Sequence, residues 1–218
     1  MPNKAVIAGA SGLIGSYLLD ILLQSNHYDE VLVLVRRELP VSHKKLVQLV
    51  IDFNNVEDHA AAINGHALFC CLGSTKKKTP GLAQYRKIDY DYPLELAQLT
   101  KKNGMRHYHL VSAVGADAKS SNFYTKMKGE TEEAIKQTGI KCIHIYEPSI
   151  LTGDRKESRP MERFAVGLMK FVDPLLIGSL KKYRSIPAQT VAQAMYKQSL
   201  KTEEGIFVHP SDKIKLLA

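Results

Sequence analysis

The sequence predicts an α/β protein: a doubly wound parallel sheet with a small C-terminal appendage on its substrate side. Two observations carry this. Up to Pro148, near-continuous apolar runs alternate with stretches of helical spacing. That is how strands buried on both faces by helices read. At the first strand–helix junction, in KAVIAGASGLIGSYLLDILL, Gly9, Gly12 and Gly15 recur at three-residue spacing. Such a turn lets backbone approach a strand or a ligand closely.

The elements follow in order. KAVIAG is a buried strand, and 12–24 is a helix. EVLVLVRR is the second strand, KLVQLVID the third, and VEDHAAAI a short helix. HALFCCLG is the fourth strand. Residues 82–102 carry helical spacing with Pro93 inside; lacking an N–H, proline is expected to bend or break the helix there. RHYHLVSA is the fifth strand, 122–138 a helix ended by Gly139, and KCIHIYEP the sixth strand. Beyond Pro148 the pattern loosens; a helix runs from Pro187 to about Leu200, and GIFVHP is the last strand. No internal repeat or long linker divides the chain. Residues 1–218 therefore read as one domain, with 150–185 and the C-terminal segment forming a substrate-side or lid region.

At 218 residues the chain is long enough for a sizeable core. No apolar run reaches the ~18 residues of a membrane span, and the N-terminal apolar run ends in glycines, unlike a secretory signal. Cys70, Cys71 and Cys142 lie in apolar runs and read as buried thiols of a reducing compartment, taken here as the cytoplasm. No Cys/His spacing suggests zinc. The formal charge is +8. Its lysine clusters are scattered without aromatic interleaving, which suits a solvated basic surface and no specific nucleic acid.

A glycine turn between a strand and a helix is an anion site, because the first helical N–H groups lack acceptors and carry partial positive charge. Gly9 allows the tight turn, Gly12 lets backbone approach a pyrophosphate, and Gly15 lets helix and strand pack. Ser11 adds a hydroxyl donor. The pattern is GxxGxxG, whose position predicts dinucleotide binding. Arg36 and Arg37 follow the second strand, where NAD-selective folds place an acid. Guanidinium groups suit a ribose 2′-phosphate, so the expected cofactor is NADP(H); Glu38 is the nearby competitor for a ribose hydroxyl. Asp52 and Phe53, after the third strand, either border adenine or serve as a turn acid and a core ring. Leu72 and Gly73, in the CLGST loop after the fourth strand, are expected to run past the cofactor's ribose, with Ser74 and Thr75 close by.

Tyr124 and Lys128 stand four residues apart in YTKMK and share a helix face. An ammonium beside a phenol favours the phenolate, so such a tyrosine can protonate a carbonyl oxygen as hydride reaches carbon. Ser112, ending the fifth strand, can hydrogen-bond the same oxygen. Lys126 points elsewhere on the helix. Among ten tyrosines one such pair also arises by chance, so its place after the fifth strand carries the reading.

GASGLIG, the serine after the fifth strand and the Tyr-x-x-x-Lys pair resemble the atypical short-chain dehydrogenase/reductase superfamily. Within it, CCLGST, GADAKSSNFYTKMKGETE and GDRKESRP resemble the Tat-interacting-protein-like group, over about residues 3–210. The resemblance implies a Rossmann fold with a small C-terminal substrate region. It places Ser112, Tyr124 and Lys128 at the catalytic positions, and Gly9, Ser11, Gly12, Leu13, Ile14, Arg36 and Arg37 in the cofactor site. It also runs Pro148, Ser149 and Ile150 past the nicotinamide. The superfamily usually has an arginine before that proline, where this chain has Glu147; a local cation such as Arg155, or solvent, is its expected partner.

Members of that group are described as regulators or binding proteins as well as oxidoreductases. Three functions are therefore expected in turn. The first is an NADP(H)-dependent oxidoreductase reducing a small-molecule carbonyl; the second, a non-enzymatic NADPH sensor with a regulatory protein partner. The third is an epimerase or dehydratase using transient hydride transfer. In GDRKESRPMERFAVGLMKFVDPLLIG, Arg155 and Arg159 either meet an acidic substrate or brace the loop through Asp154 and Glu157. Residues 161–177 read as a lid, a core helix, a dimer face or a weak membrane-surface contact.

Overall fold

The computed structural model describes residues 3–75, 79–153 and 173–218. Seven parallel strands form the main sheet in the order β3-β2-β1-β4-β5-β6-β9. They are β1 (Lys4–Ala8), β2 (Glu30–Val35), β3 (Leu46–Val50), β4 (Ala67–Cys70), β5 (His107–Val111), β6 (Cys142–Glu147) and β9 (Gly205–Pro210). Two short strands, β7 (Leu151–Thr152) and β8 (Ile186–Pro187), pair separately. The strand order reverses between β1 and β4, so the two strands' C-terminal ends open a crevice, the usual ligand site of such sheets.

Period-two alternation sends side chains to opposite faces. Ile7, Val33 and Phe69 face α1 (Leu13–Gln24) and α5 (Ala188–Ser199), whose Leu18, Leu22, Val191 and Met195 complete that core. Val6, Leu32, Leu68, Tyr108 and Ile143 face the opposite layer, with Leu96 of α3 (Tyr92–Lys102) and Ile135 of α4 (Phe123–Lys136). The C-terminal third is more than an appendage: β9 extends the sheet beside β6, and α6 (Ser211–Leu217) closes the chain against it. The expected lid over 161–177 lies mostly outside the described residues, as do Arg155 and Arg159.

Two elements differ from expectation. The short helix after β3 is a 3-10 segment, Phe53–His59, that starts three residues earlier than VEDHAAAI. Asp52 sets its start by accepting the Asn54 N–H. The helical stretch 82–102 is not broken at Pro93. It runs as α2 (Leu82–Arg86), a π turn (Lys87–Asp91) and then α3, with Pro93 in the first turn of α3. Proline cannot donate to Asp89 O one turn back. That carbonyl is met by the Thr131 hydroxyl of α4 at 3.0 Å, a hydroxyl also 2.8 Å from Met127 O.

α4 lies against the loop after β5 at one tight point. A Cβ on Gly129 would fall 2.2 Å from Ala118 N and 2.3 Å from Asp117 C, so no side chain fits without moving backbone. Alanine is the better helix former by ~1 kcal/mol, yet Gly129→Ala should destabilise the protein by ~2 kcal/mol or more in urea unfolding. A neutral or stabilising result would show that the loop yields.

Candidate functional site

The glycine turn sits at the crevice between β1 and β4. Gly9 has φ +91°, and a Cβ there would lie 2.6 Å from Cys71 O; a Cβ on Gly15 would lie 2.2 Å from Gly9 O. These two glycines close strand, turn and helix onto one another. Gly12 is less crowded, its nearest neighbour Gly9 O at 3.2 Å. The Gly12 N–H donates to Gly9 O at 3.0 Å. No side chain caps α1 and no acid stands in its first turn. Its first N–H groups are left for an anion. Ser11 is exposed beside them, Leu13 is half-buried and Ile14 buried.

Arg36 and Arg37 are exposed after β2, without an ion-pair partner among the described residues. An uncapped helix start, a turn that side chains would fill and two unpaired guanidiniums make a donor set that fits a dinucleotide's phosphates. Asp52 spends Oδ1 on Asn54, which holds its carboxyl below the usual carboxylate range. The Phe53 ring is buried against Tyr92, at 5.5 Å between centroids, leaving only its backbone to border a ligand.

The loop after β4 leads to a buried ion pair that the sequence reading missed. Asp89, in the π turn, takes Lys128 Nζ at 2.8 Å and the Ser74 N–H at 2.8 Å. Gly73 backs onto this pair, with a built Cβ 3.6 Å from Asp89 Oδ1 and 4.0 Å from Lys128 Nζ. Leu72 packs into the core below. Burial acts to lower the Lys128 pKa, but the facing Asp89 carboxylate outweighs it and holds the ammonium above its ordinary value. Tyr124 lies one turn earlier on α4 and is 38% exposed. Tyr85 flanks the loop, its hydroxyl donating to Ser74 O at 3.1 Å; burial, with Asp89 and Tyr124 nearby, pushes that phenol up to about 12.

The same helix stripe continues to Glu132 and Lys136. Ser112 donates its hydroxyl to Glu132 Oε1 at 2.5 Å, and Lys136 Nζ stands 3.5 Å from Oε2. Burial raises the Glu132 pKa against these partners. Glu147, at the end of β6, is pushed up to about 7 by burial and then by the Glu132 charge, with Lys136 and Lys182 opposing. Pro148 is buried and its carbonyl accepts the Val114 N–H at 3.0 Å. The Ser149 N–H donates to Ser211 Oγ at 2.7 Å, while Ile150 is exposed. The four-residue stripe Tyr124–Lys128–Glu132–Lys136 was the available signal for Glu132. For Asp89 the signal was an acid one turn ahead of Pro93.

A crevice at the strand reversal, an uncapped glycine turn and a helix presenting Tyr124 and Lys128 define a nucleotide-binding protein of the short-chain dehydrogenase/reductase type. The NAD(P)H-binding family matches residues 9–200, and the chain belongs to it, within the Tat-interacting-protein-like group. It is 36% identical to Protein HTATIP2 of Rattus norvegicus over 210 residues, covering 94% of this chain and 85% of that protein. It is 30% identical over 224 residues to "Protein fmp52, mitochondrial" of Aspergillus clavatus, covering 100% of this chain and 95% of that one.

Among solved structures, UDP-glucose 4-epimerase of Thermotoga maritima with UDP-glucose superposes with TM-score 0.69 at 16% identity, covering 98% of this chain and 81% of that one. WbmG of Bordetella bronchiseptica in complex with NAD gives TM-score 0.71 at 15% identity, covering 99% and 76%. These share the fold. The cytoplasmic expectation is corrected by the fungal relatives, which are named mitochondrial. The three free cysteines, Cys70 and Cys142 buried and Cys71 half-buried, do not distinguish one reducing compartment from another.

Glu147 is raised in the fold, so the native state holds its proton between its ordinary carboxyl pKa and about 7. The stability this gives is fully present below the unfolded pKa and is lost as pH rises towards 7. Glu147→Gln should therefore stabilise the protein at pH 8 by ~1–2 kcal/mol, after allowing for solvent access. The gain should vanish near pH 4 in urea titrations; a gain independent of pH would mean the carboxyl is not strained.

Proposed function

We propose that the protein is an NADP(H)-dependent oxidoreductase that reduces a carbonyl on a small molecule. The observation that carries this is the Tyr124–Lys128 face of α4, with Lys128 kept charged in a buried setting by Asp89 at 2.8 Å. A nicotinamide cofactor, when bound, supplies the hydride. Gly9, Ser11, Gly12, Leu13, Ile14 and Gly15 hold its phosphates, and Arg36 and Arg37 select the 2′-phosphate. Asp52 and the Phe53 backbone border the adenine. Leu72, Gly73, Ser74, Pro148 and Ile150 line its path towards the reacting end. Tyr124 gives its proton to the carbonyl oxygen, and the Lys128 charge stabilises the tyrosinate left behind.

Ser112 orients that oxygen. Its hydroxyl donates to Glu132, so it meets a substrate oxygen by turning away from that carboxylate. This engagement also favours a second reading, an NADPH sensor without turnover that presents a cofactor-dependent surface to a regulatory protein.

Two measurements separate these readings. In calorimetry, Arg36→Glu should weaken NADPH by ~10–100-fold while changing NADH much less; equal losses would remove the 2′-phosphate assignment. Across a panel of carbonyl compounds, substrate-dependent NADPH oxidation should fall ~10²–10⁴-fold in Tyr124→Phe with NADPH affinity retained. Tight NADPH binding with no turnover in the parent chain would favour the sensor.

A further inference from the structure

On the α5 and α6 side of the sheet, several strand positions hold histidine where aliphatic residues are usual. In-register pairing sets Phe69, His109, His144 and Phe207 side by side on β4, β5, β6 and β9. The next rung towards the strand starts sets His107 beside Cys142. The His109 and His144 rings stack with centroids 4.8 Å apart and planes 8° from parallel. One ligand atom from each of His107, His109 and His144 lies within 4.8 Å of the others, and all three residues are buried.

Both nitrogens of His107 and Nε2 of His109 have no hydrogen-bond partner. An unmet buried polar group costs ~1–3 kcal/mol, so a core of plain filler would not leave these atoms unpartnered beside one another. The outer nitrogens of His109 and His144 are held as metal-bound histidines are held. His109 Nδ1 is 3.1 Å from the Tyr146 hydroxyl, and His144 Nδ1 is 3.0 Å from His209 Nε2. Cys142 Sγ lies 3.2 Å from His144 Nε2.

We propose that His107, His109 and His144 bind one zinc ion, with Cys142, in contact with His144, as the candidate fourth ligand. Three imidazoles and a sulfur are the ligands zinc takes in closed structural sites. Tetrahedral geometry sets such nitrogens ~3.4 Å apart, so the rings swing slightly inward on binding. A neutral imidazole offers one lone pair to a metal while its other nitrogen keeps its N–H. The Cys142 thiol, as fourth ligand, gives its proton to solvent as the Zn–S bond forms. Ser112 follows β5 five residues beyond His107, roughly 16 Å along the strand. The ion is thus a structural one, away from the cofactor turn.

The test titrates Zn²⁺ into the chelator-stripped full chain against a chromophoric chelator, then repeats with Co²⁺. One ion per chain is expected, with affinity falling by more than the ~10–100-fold that outer-shell changes cause in His109→Gln and His144→Gln, and unchanged in His43→Gln, a half-buried histidine outside the cluster. Bound Co²⁺ should give the intense visible bands of tetrahedral coordination, with a sulfur charge-transfer band lost in Cys142→Ser. Should the histidine variants fail to fold, the parent's cobalt spectrum decides alone. Weak octahedral bands, or zinc binding lost in His43→Gln and kept in His109→Gln, would overturn the site.

Discussion

The Asp89–Lys128 ion pair is the contact on which the rest of the site depends. It joins the π turn, the loop after β4 and the Tyr124–Lys128 face of α4 in one place. A buried pair of this kind adds little net stability, but loss of either partner leaves an uncompensated charge at a cost of ~3–5 kcal/mol. Geometry is therefore what it provides. The carboxylate also takes the Ser74 N–H, and the Asp89 carbonyl takes the Thr131 hydroxyl. One residue thereby fixes both the loop after β4 and the helix that carries Tyr124 and Lys128.

The π turn explains how an acid comes to stand there. Pro93 deprives the preceding turn of a regular hydrogen bond, and the chain widens by one residue over Lys87–Asp91. Asp89 then faces inward and is almost fully buried. Gly129 complements this from the other side, letting α4 lie close enough to the loop after β5 for Glu132 to reach Ser112. Two irregularities in otherwise ordinary helices thus set the face that carries Tyr124, Lys128 and Glu132.

Much of the fold was legible because a parallel sheet writes its strands as apolar runs and its turns as glycines. The residues around Gly9, the arginines after β2 and the Tyr–Lys spacing are local patterns of this sort. Asp89 and Glu132 were less legible: the stripe on α4 and the acid ahead of Pro93 mark the residues, but their partners, Lys128 and Ser112, lie 39 and 20 residues away. The histidine cluster was hidden for a related reason. His107, His109 and His144 meet through the register of β5 and β6, whereas zinc motifs read from sequence rely on short loops. The cytoplasmic assignment failed because composition reports redox state and not address.

The strand pairing has a consequence for the order in which the molecule assembles. β1 pairs with β4 across a long stretch of chain, Ala5 with Ala67, and β6 with β9 across a similar one, Cys142 with Gly205. Such non-local ladders form late and slowly. The tight space around Gly9 is bounded by Cys71 at the end of β4, so the dinucleotide turn does not exist until β4 has docked. A cofactor recognising that turn binds only chains whose sheet has already closed, and by mass action protects them against reopening. Cofactor supply would then govern how long each molecule survives as well as whether it works.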